Sequence, residues 1–323
     1  MKAIRLESTG GPEVLQFTDH ELPPPGTGEV RIHHGAIGLN FIDTYQRSGL
    51  YPLAFPTGLG LEAAGTVEAI GLGVTRFSIG DRAGYCTGPI GAYAQANNVP
   101  EGRAVKLPDT IDDVTAAGGM LKGFTAHFLL RRVFSVESGQ TILFHAAAGG
   151  VGSIACAWAN HLGATVIGTV GSEAKAALAE AHGCTHTIDY TKEDFVARVA
   201  DITGGTGVPV VYDSVGKSTF YGSLDCLSRR GMLVNFGNAS GPPEPLNILE
   251  LSSKGSLFVT RPTLFDYVST TAELDQAAKD LFAVISSGAV KIEVNQRFAL
   301  ADAAEAHRAL EARTTTGVTI LIP

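Results

Sequence analysis

Between residues 140 and 260 the chain repeats one pattern: a short strand-like run, in most cases apolar, then a longer stretch with apolar positions at helical spacing. The runs stand at 142–145, 164–170, 185–188, 208–213, 231–236 and 256–260. Helical stretches fall at 151–162, 172–182, 193–203 and 218–228, with a shorter one at 246–251. Strands that are apolar without alternation are buried on both faces, as in a parallel sheet covered by helices. The pattern predicts an α/β fold with a doubly wound parallel sheet and right-handed crossovers.

The first 120 residues are patterned differently. Strand-like runs at 1–6, 30–36 and 65–70 are separated by Gly and Pro clusters such as Pro23-Pro24-Pro25-Gly26. That spacing predicts a small β barrel or sandwich. From 112 to 134 Ala and Leu return at helical spacing and lead into the first parallel strand. After Thr260 the alternation breaks, with a helix expected over 271–286, a strand at 297–300, a helix at 301–313 and a closing strand at 318–322. The expected domains are 1–123, completed by 264–323, and 124–263.

The first strand of the repeat runs into Ala146-Ala147-Ala148-Gly149-Gly150-Val151-Gly152 and then a helix. Strand, small-residue turn and helix form the setting of a dinucleotide-binding turn. Gly149 would let the backbone approach a pyrophosphate, Gly152 would let the helix pack close to the strand, and the helix N-terminus offers free N–H groups. Ala148, Gly149, Gly150, Val151 and Gly152 are therefore the expected cofactor contacts. Ala147 stands where the first glycine of G-x-G-x-x-G would be, so a turn of small residues with no ligand also fits the motif alone.

Composition narrows the function classes. A net charge of −8 argues against a nucleic-acid surface. The four cysteines, Cys86, Cys156, Cys184 and Cys226, are widely spaced, against both a zinc cluster and a secreted disulfide framework. The first residues lack the apolar core of a signal peptide, and no run of 18 apolar residues occurs, so a cytoplasmic protein acting without a membrane is expected.

Four stretches carry a family likeness: Asn40-Phe41-Ile42-Asp43-Thr44-Tyr45-Gln46-Arg47-Ser48-Gly49, the Ala146–Gly152 turn, Ile188-Asp189-Tyr190, and Glu311-Ala312-Arg313-Thr314-Thr315-Thr316-Gly317. Through them the whole chain resembles the zeta-crystallin-type NADPH:quinone oxidoreductases of the medium-chain dehydrogenase/reductase superfamily. The resemblance implies a GroES-like β-barrel-type domain beside a Rossmann domain, and a homodimer, which we expect to form through the edge strand 255–260. Zinc alcohol dehydrogenases of the same superfamily carry a Cys and a His-Glu pair where this chain reads Asn40 and Leu61-Glu62. Without thiolate or imidazole at those places no metal is expected.

NAD enzymes place an acidic residue at the end of the second strand. Here Gly171 and Ser172 are neutral, Ser172 has the character of a helix N-cap, and Lys175 follows one turn on. By resemblance Ser172, Lys175 and Tyr190 contact the adenosine phosphate of NADPH; an inward-turned Glu173 would oppose it, and an ordinary solvated lysine is the other reading of Lys175. The resemblance further implies that Asn40, Tyr45 and Tyr51 line the cleft beside the nicotinamide and polarise the acceptor as neutral donors. It adds cofactor contacts at Asn40, Thr125, Ser214, Phe236, Gly237, Asn238, Phe258, Thr260 and Arg313. Tyr45 and Tyr51 also read as half-buried barrel residues, and Phe236 and Phe258 as core. The expected activity is zinc-independent reduction of a small quinone by NADPH. Reduction of activated C=C bonds, or an NADPH-binding redox sensor of low turnover, are the alternatives.

Overall fold

The computed structural model describes residues 1–312 and 314–323. The chain packs as two compact units. One comprises Met1–Lys122, Val268–Ser286 and Lys291–Pro323; the other comprises Gly123–Tyr267 and Ser287–Val290.

In the second unit six strands lie in the order His186–Asp189, Thr165–Val170, Thr141–Phe144, Val208–Asp213, Leu227–Asn235, Phe258–Thr260. Every pairing is parallel. Numbered along the chain this is 3-2-1-4-5-6, the Rossmann order, with the strand order reversing beside Thr141–Phe144. Consecutive apolar side chains make the strands: Ile142, Leu143, Phe144, Val166, Ile167, Val210 and Val211 are all buried. The fifth strand begins four residues earlier than its apolar run, and the helix before it is correspondingly short, Phe220–Asp225. Arg230, at φ 61°, breaks that strand locally, and the register with its neighbour shifts between Val208 and Val210. The last strand is three residues rather than five.

The first unit is built on a seven-stranded sheet whose long strand, Glu29–Leu39, pairs antiparallel with Glu62–Ile70, Ala96–Pro100 and Val318–Ile322. Val30, Ile32 and His34 point inward while His33 is exposed, so alternation sets which histidine is buried. The tail closes this unit: Thr319, Ile320 and Leu321 pair with Leu39, Gly38 and Ile37. Its strand is Val294–Ala299 and its helix Ala303–Glu311, both shifted from their apolar patterns. Leu300, Ala303, Ala306 and Leu321 join Ile4, Ile32, Ile37, Leu39 and Leu59 in one core.

Periodicity does not predict the helix Phe41–Ser48. Its buried residues are Asp43, Thr44, Gln46 and Arg47, so it shows no apolar stripe. It forms because Asn40, extended at φ −131°, donates its N–H to Asp43 Oδ2 at 2.9 Å, and because Gly49 closes it in the left-handed region.

Candidate active site

In the second unit the strand Thr141–Phe144 hands over to the helix Gly150–His161 through the small-residue turn. Ala146 sits at φ 54° and its carbonyl accepts from Gly149 N–H at 2.9 Å. A Cβ on Gly152 would stand 2.3 Å from the Ala146 oxygen and 2.7 Å from the Ala147 oxygen, so only glycine fits. Ala147, in place of the first glycine, is buried, and its methyl fills space left by Gly168 on the adjacent strand. Gly149 is exposed, with Gly150 and Val151 partly so, and the first N–H groups of the helix have no intrahelical partner. The turn therefore presents an anion-binding surface.

His145 anchors this turn from below. Its ring nitrogens lie 2.9 Å from Thr169 Oγ1 and 2.9 Å from Ser223 Oγ, and burial lowers its pKa against the pull of Asp213. Asp213 in turn accepts from Val215 N–H at 2.7 Å and Gly216 N–H at 3.0 Å, fixing the loop that carries Ser214. Arg261 donates to the carbonyls of Asn235 and Gly237, both at 3.1 Å, and so holds the segment with Phe236, Gly237 and Asn238. Sequence reasoning missed His145, Asp213 and Arg261; a polar residue ending an apolar run, as His145 and Asp213 do, was the available signal.

At the second strand's end Ser172 caps the helix Glu173–Ala181, its hydroxyl accepting from Lys175 N–H at 3.3 Å. Tyr190 N–H bonds Val170 O at 3.1 Å, and its hydroxyl lies 2.5 Å from where a Cβ on Gly171 would be. Ser172, Lys175 and Tyr190 are thus gathered at the ends of two adjacent strands. The Glu173 side chain is 94% exposed and faces Lys192 at 4.0 Å, so it does not turn inward. Thr260 ends the edge strand, and Thr125 is on the helix Asp113–Phe128. Phe236 packs on Phe144, its ring 5.8 Å away, as a core residue would. Phe258 departs from both readings made for it: it opens the edge strand, away from the carboxyl ends, and is 56% exposed. Arg313 lies outside the described residues.

In the first unit Asn40 is buried. Its Nδ2 donates to Glu62 Oε2 at 2.8 Å and its Oδ1 accepts from Lys122 Nζ at 2.7 Å. Glu62 is fully buried; burial raises its carboxyl above the ordinary range, and the Lys122 ammonium, 3.6 Å away, offsets only part of that rise. Tyr45 and Tyr51 meet edge to face at 5.3 Å, with Phe41 5.6 Å from Tyr45, and both tyrosines are half-buried. Beneath Asn40 runs a second chain of contacts. Tyr93 Oη donates to Asp43 Oδ2 at 2.9 Å and meets His307 Nε2 at 3.1 Å. Arg47 donates to His307 Nδ1 at 3.1 Å and pairs with both oxygens of Glu311. Since Arg47 can only donate, Nδ1 accepts and the His307 proton sits on Nε2. Burial, then Arg47, lowers His307 to about 3, while burial raises Asp43 to about 7. Sequence reasoning assigned no site role to Glu62, Lys122, Asp43, Arg47, Tyr93 or His307, although Glu62 and Lys122 are lone charges in apolar stretches, which a fold buries only when paired.

Two family descriptions match: an alcohol dehydrogenase GroES-like domain over residues 26–109 and a zinc-binding dehydrogenase over residues 150–282. The chain is 55% identical to a quinone oxidoreductase of Pseudomonas aeruginosa, covering 100% of this chain and 99% of the relative. It is 46% identical to a 2-haloacrylate reductase of a Burkholderia species, covering 99% of this chain and 98% of that one. Among solved structures it resembles Escherichia coli quinone oxidoreductase complexed with NADPH, at TM-score 0.98 and 48% identity, with both chains covered fully.

The zinc in the second description does not fit this donor set. At the places named above stand an amide and one carboxylate, and the ammonium of Lys122 already supplies the positive charge between them. The thiols of Cys86 and Cys226 are buried and held protonated, Cys226 being pushed up to about 12. Among the described residues no group of three or more His, Cys, Asp or Glu side chains could hold a metal ion.

Proposed function

Because this chain belongs to the quinone oxidoreductases of the medium-chain dehydrogenase/reductase superfamily, we propose that it reduces quinones with NADPH and without a metal. The observation that carries the cofactor assignment is the end of the second strand. Gly171 and Ser172 are neutral there, Lys175 and Tyr190 stand beside them, and Glu173 is turned to solvent. A strand end that carries a lysine and no acidic residue of its own suits a 2′-phosphate and disfavours a cofactor that relies on an acidic partner there. Ala148 to Gly152 supply N–H groups to the pyrophosphate. Thr125, Ser214, Phe236, Gly237, Asn238, Thr260 and Arg313 are further cofactor contacts in this reading; Phe258 is left out, being exposed on the edge strand.

NADPH, when bound, supplies the reducing equivalents. The protein orients the acceptor and stabilises charge on its oxygen, with Asn40, Tyr45 and Tyr51 as neutral donors. A quinone needs little such help, because it is already a good acceptor. Activated C=C bonds are the second reading, favoured by the resemblance to the 2-haloacrylate reductase.

The second copy in a homodimer pairs with the edge strand Phe258–Thr260, supported by the exposure of Phe258 and of nearby Ile248 and Leu249. No helix among the described residues is long and apolar enough to cross a membrane. Four buried free cysteines suit a reducing compartment, and we place the protein in the cytoplasm.

A panel of quinones and enones with NADPH or NADH, with and without chelator, tests the reading. Chelator-resistant oxidation of NADPH by several quinones is expected. Loss of activity with chelator removes the metal-free model, and NADPH binding without turnover on any acceptor leaves only a redox-sensing role.

A further inference from the structure

Asn40 is held in a way that its role as a donor does not by itself require. Three acceptors surround the Lys122 ammonium: Asn40 Oδ1 at 2.7 Å, Leu39 O at 3.2 Å and Glu62 Oε2 at 3.6 Å. Glu62 spends one oxygen on Leu121 N–H, at 2.6 Å, and the other on Asn40 Nδ2, at 2.8 Å. Space for that carboxylate comes from Gly38, where a Cβ would lie 2.2 Å from Glu62 Oε2. Rotating the Asn40 amide by half a turn would set its NH2 against an ammonium and its oxygen against a carboxylate. Both contacts would become repulsive in a site of low dielectric. The amide therefore has one orientation. One Nδ2 hydrogen is used on Glu62, and the other has no partner among the described residues.

We propose that Glu62 and Lys122 are positioning residues that lock the Asn40 carboxamide as an obligate hydrogen-bond donor, selecting acceptors that offer a carbonyl or carboxylate oxygen. This rests on the reductase reading above and deepens it. The pair acts on the acceptor only through Asn40. The ammonium on Oδ1 also draws electron density from the amide, so the remaining N–H is a stronger donor than that of a free asparagine. The benefit grows with the negative charge that the oxygen gains on reduction. An enone, whose enolate oxygen needs stabilising, depends on the lock more than a quinone does.

The test is a mutant cycle at saturating NADPH. Glu62→Gln combined with Lys122→Met removes both charges together, which avoids a lone buried ion. This double variant, Asn40→Ala, and the triple variant are compared on one quinone and one enone. Thermal melting and NADPH titration are run alongside. The double variant should lose about 3- to 30-fold in kcat on the quinone and on the order of 10- to 1000-fold on the enone. The triple variant should be no worse than Asn40→Ala alone, because residues acting through one group are not additive. Additive losses, or equal losses on both acceptors, overturn the proposal. If the double variant does not fold, Glu62→Gln alone enters the cycle. It keeps an oxygen for Leu121 N–H but turns an NH2 toward Asn40, and the same non-additivity and acceptor bias are expected. A wild type that reduces neither acceptor sinks the reductase reading instead, an outcome read before any variant is made.

Discussion

The glycine turn and the Asn40 cluster solve the same problem, holding polar groups ready for a ligand, with different materials. The turn is made of backbone: neighbouring residues of minimal side chain expose N–H groups at a helix start. The cluster is made of side chains from distant parts of the sequence, with Asn40, Glu62 and Lys122 in one contact set and Asp43, Arg47, Tyr93, His307 and Glu311 in another. A backbone site cannot titrate and tolerates no added atoms. A side-chain site tolerates some change of shape but answers to pH. Each difference can be put to a measurement.

The largest expected effect is of pH on stability. His34 and His307 are held neutral by burial, at about 4 and about 3, below the ordinary 6.5. Their contributions are present above 6.5 and are lost as pH falls towards those values. Asp43 runs the other way: raised to about 7, its contribution is present below 3.8 and is lost as pH rises through about 7. Of these three groups, two histidines against one carboxyl leave a net loss of about 1.4 kcal/mol per pH unit on acidification. That amounts to at most about 3 kcal/mol between pH 6.5 and 4. His145, also lowered, adds to this loss and Glu62, raised, opposes it. Urea unfolding across that range should show it, and Asp43→Asn should make the slope steeper. Stability flat with pH would mean that these groups are not buried as described.

The next effect is steric and belongs to the turn. Gly152→Ala forces a methyl to within 2.3 Å of the Ala146 oxygen, so the turn must open. Overpacking of this kind costs about 2–3 kcal/mol, and NADPH affinity should fall about 30- to 150-fold. A titration that shifts less than about threefold would mean that the turn is more pliant than its backbone contacts imply.

The smallest effect separates the two cofactors. Lys175→Ala removes a charge-assisted contact worth about 1.5–3 kcal/mol, so NADPH should weaken by at least about 10-fold while NADH barely changes. Equal losses for both would make Lys175 a structural residue and undo the cofactor assignment.

The same contrast explains what could be read from the sequence. The turn was legible because its chemistry is local: small residues after an apolar run announce themselves without any partner. Ser172 was legible as a cap for the same reason, since its hydroxyl serves a residue three positions on. The four inner parallel strands were legible because their apolar runs are buried on both faces. The helix Phe41–Ser48 was not, because its inward side is Asp43, Thr44, Gln46 and Arg47, polar groups whose burial makes sense only beside Tyr93, His307 and Glu311. The end of the helix at Asp225 was overrun because the next strand starts at Leu227, ahead of its own apolar run. Asn40 was picked out by family likeness, but Glu62 and Lys122 lie 22 and 82 residues away, and no spacing rule connects them.

One pairing also bears on how the protein is made. Ile37 to Leu39 find their partners in Thr319 to Leu321, roughly 280 residues later in the chain. At about 5–20 residues per second, a ribosome needs on the order of 15–60 s to deliver the second set after the first. Throughout that interval the long strand of the first unit has an open edge, and before the interval ends the whole of the other unit has been made and can close. The unit whose sequence begins first is therefore the last to finish. Its waiting edge, rich in Ile37 and Leu39, is where a nascent chain of this design is most exposed to pairing with a neighbour and most in need of a chaperone.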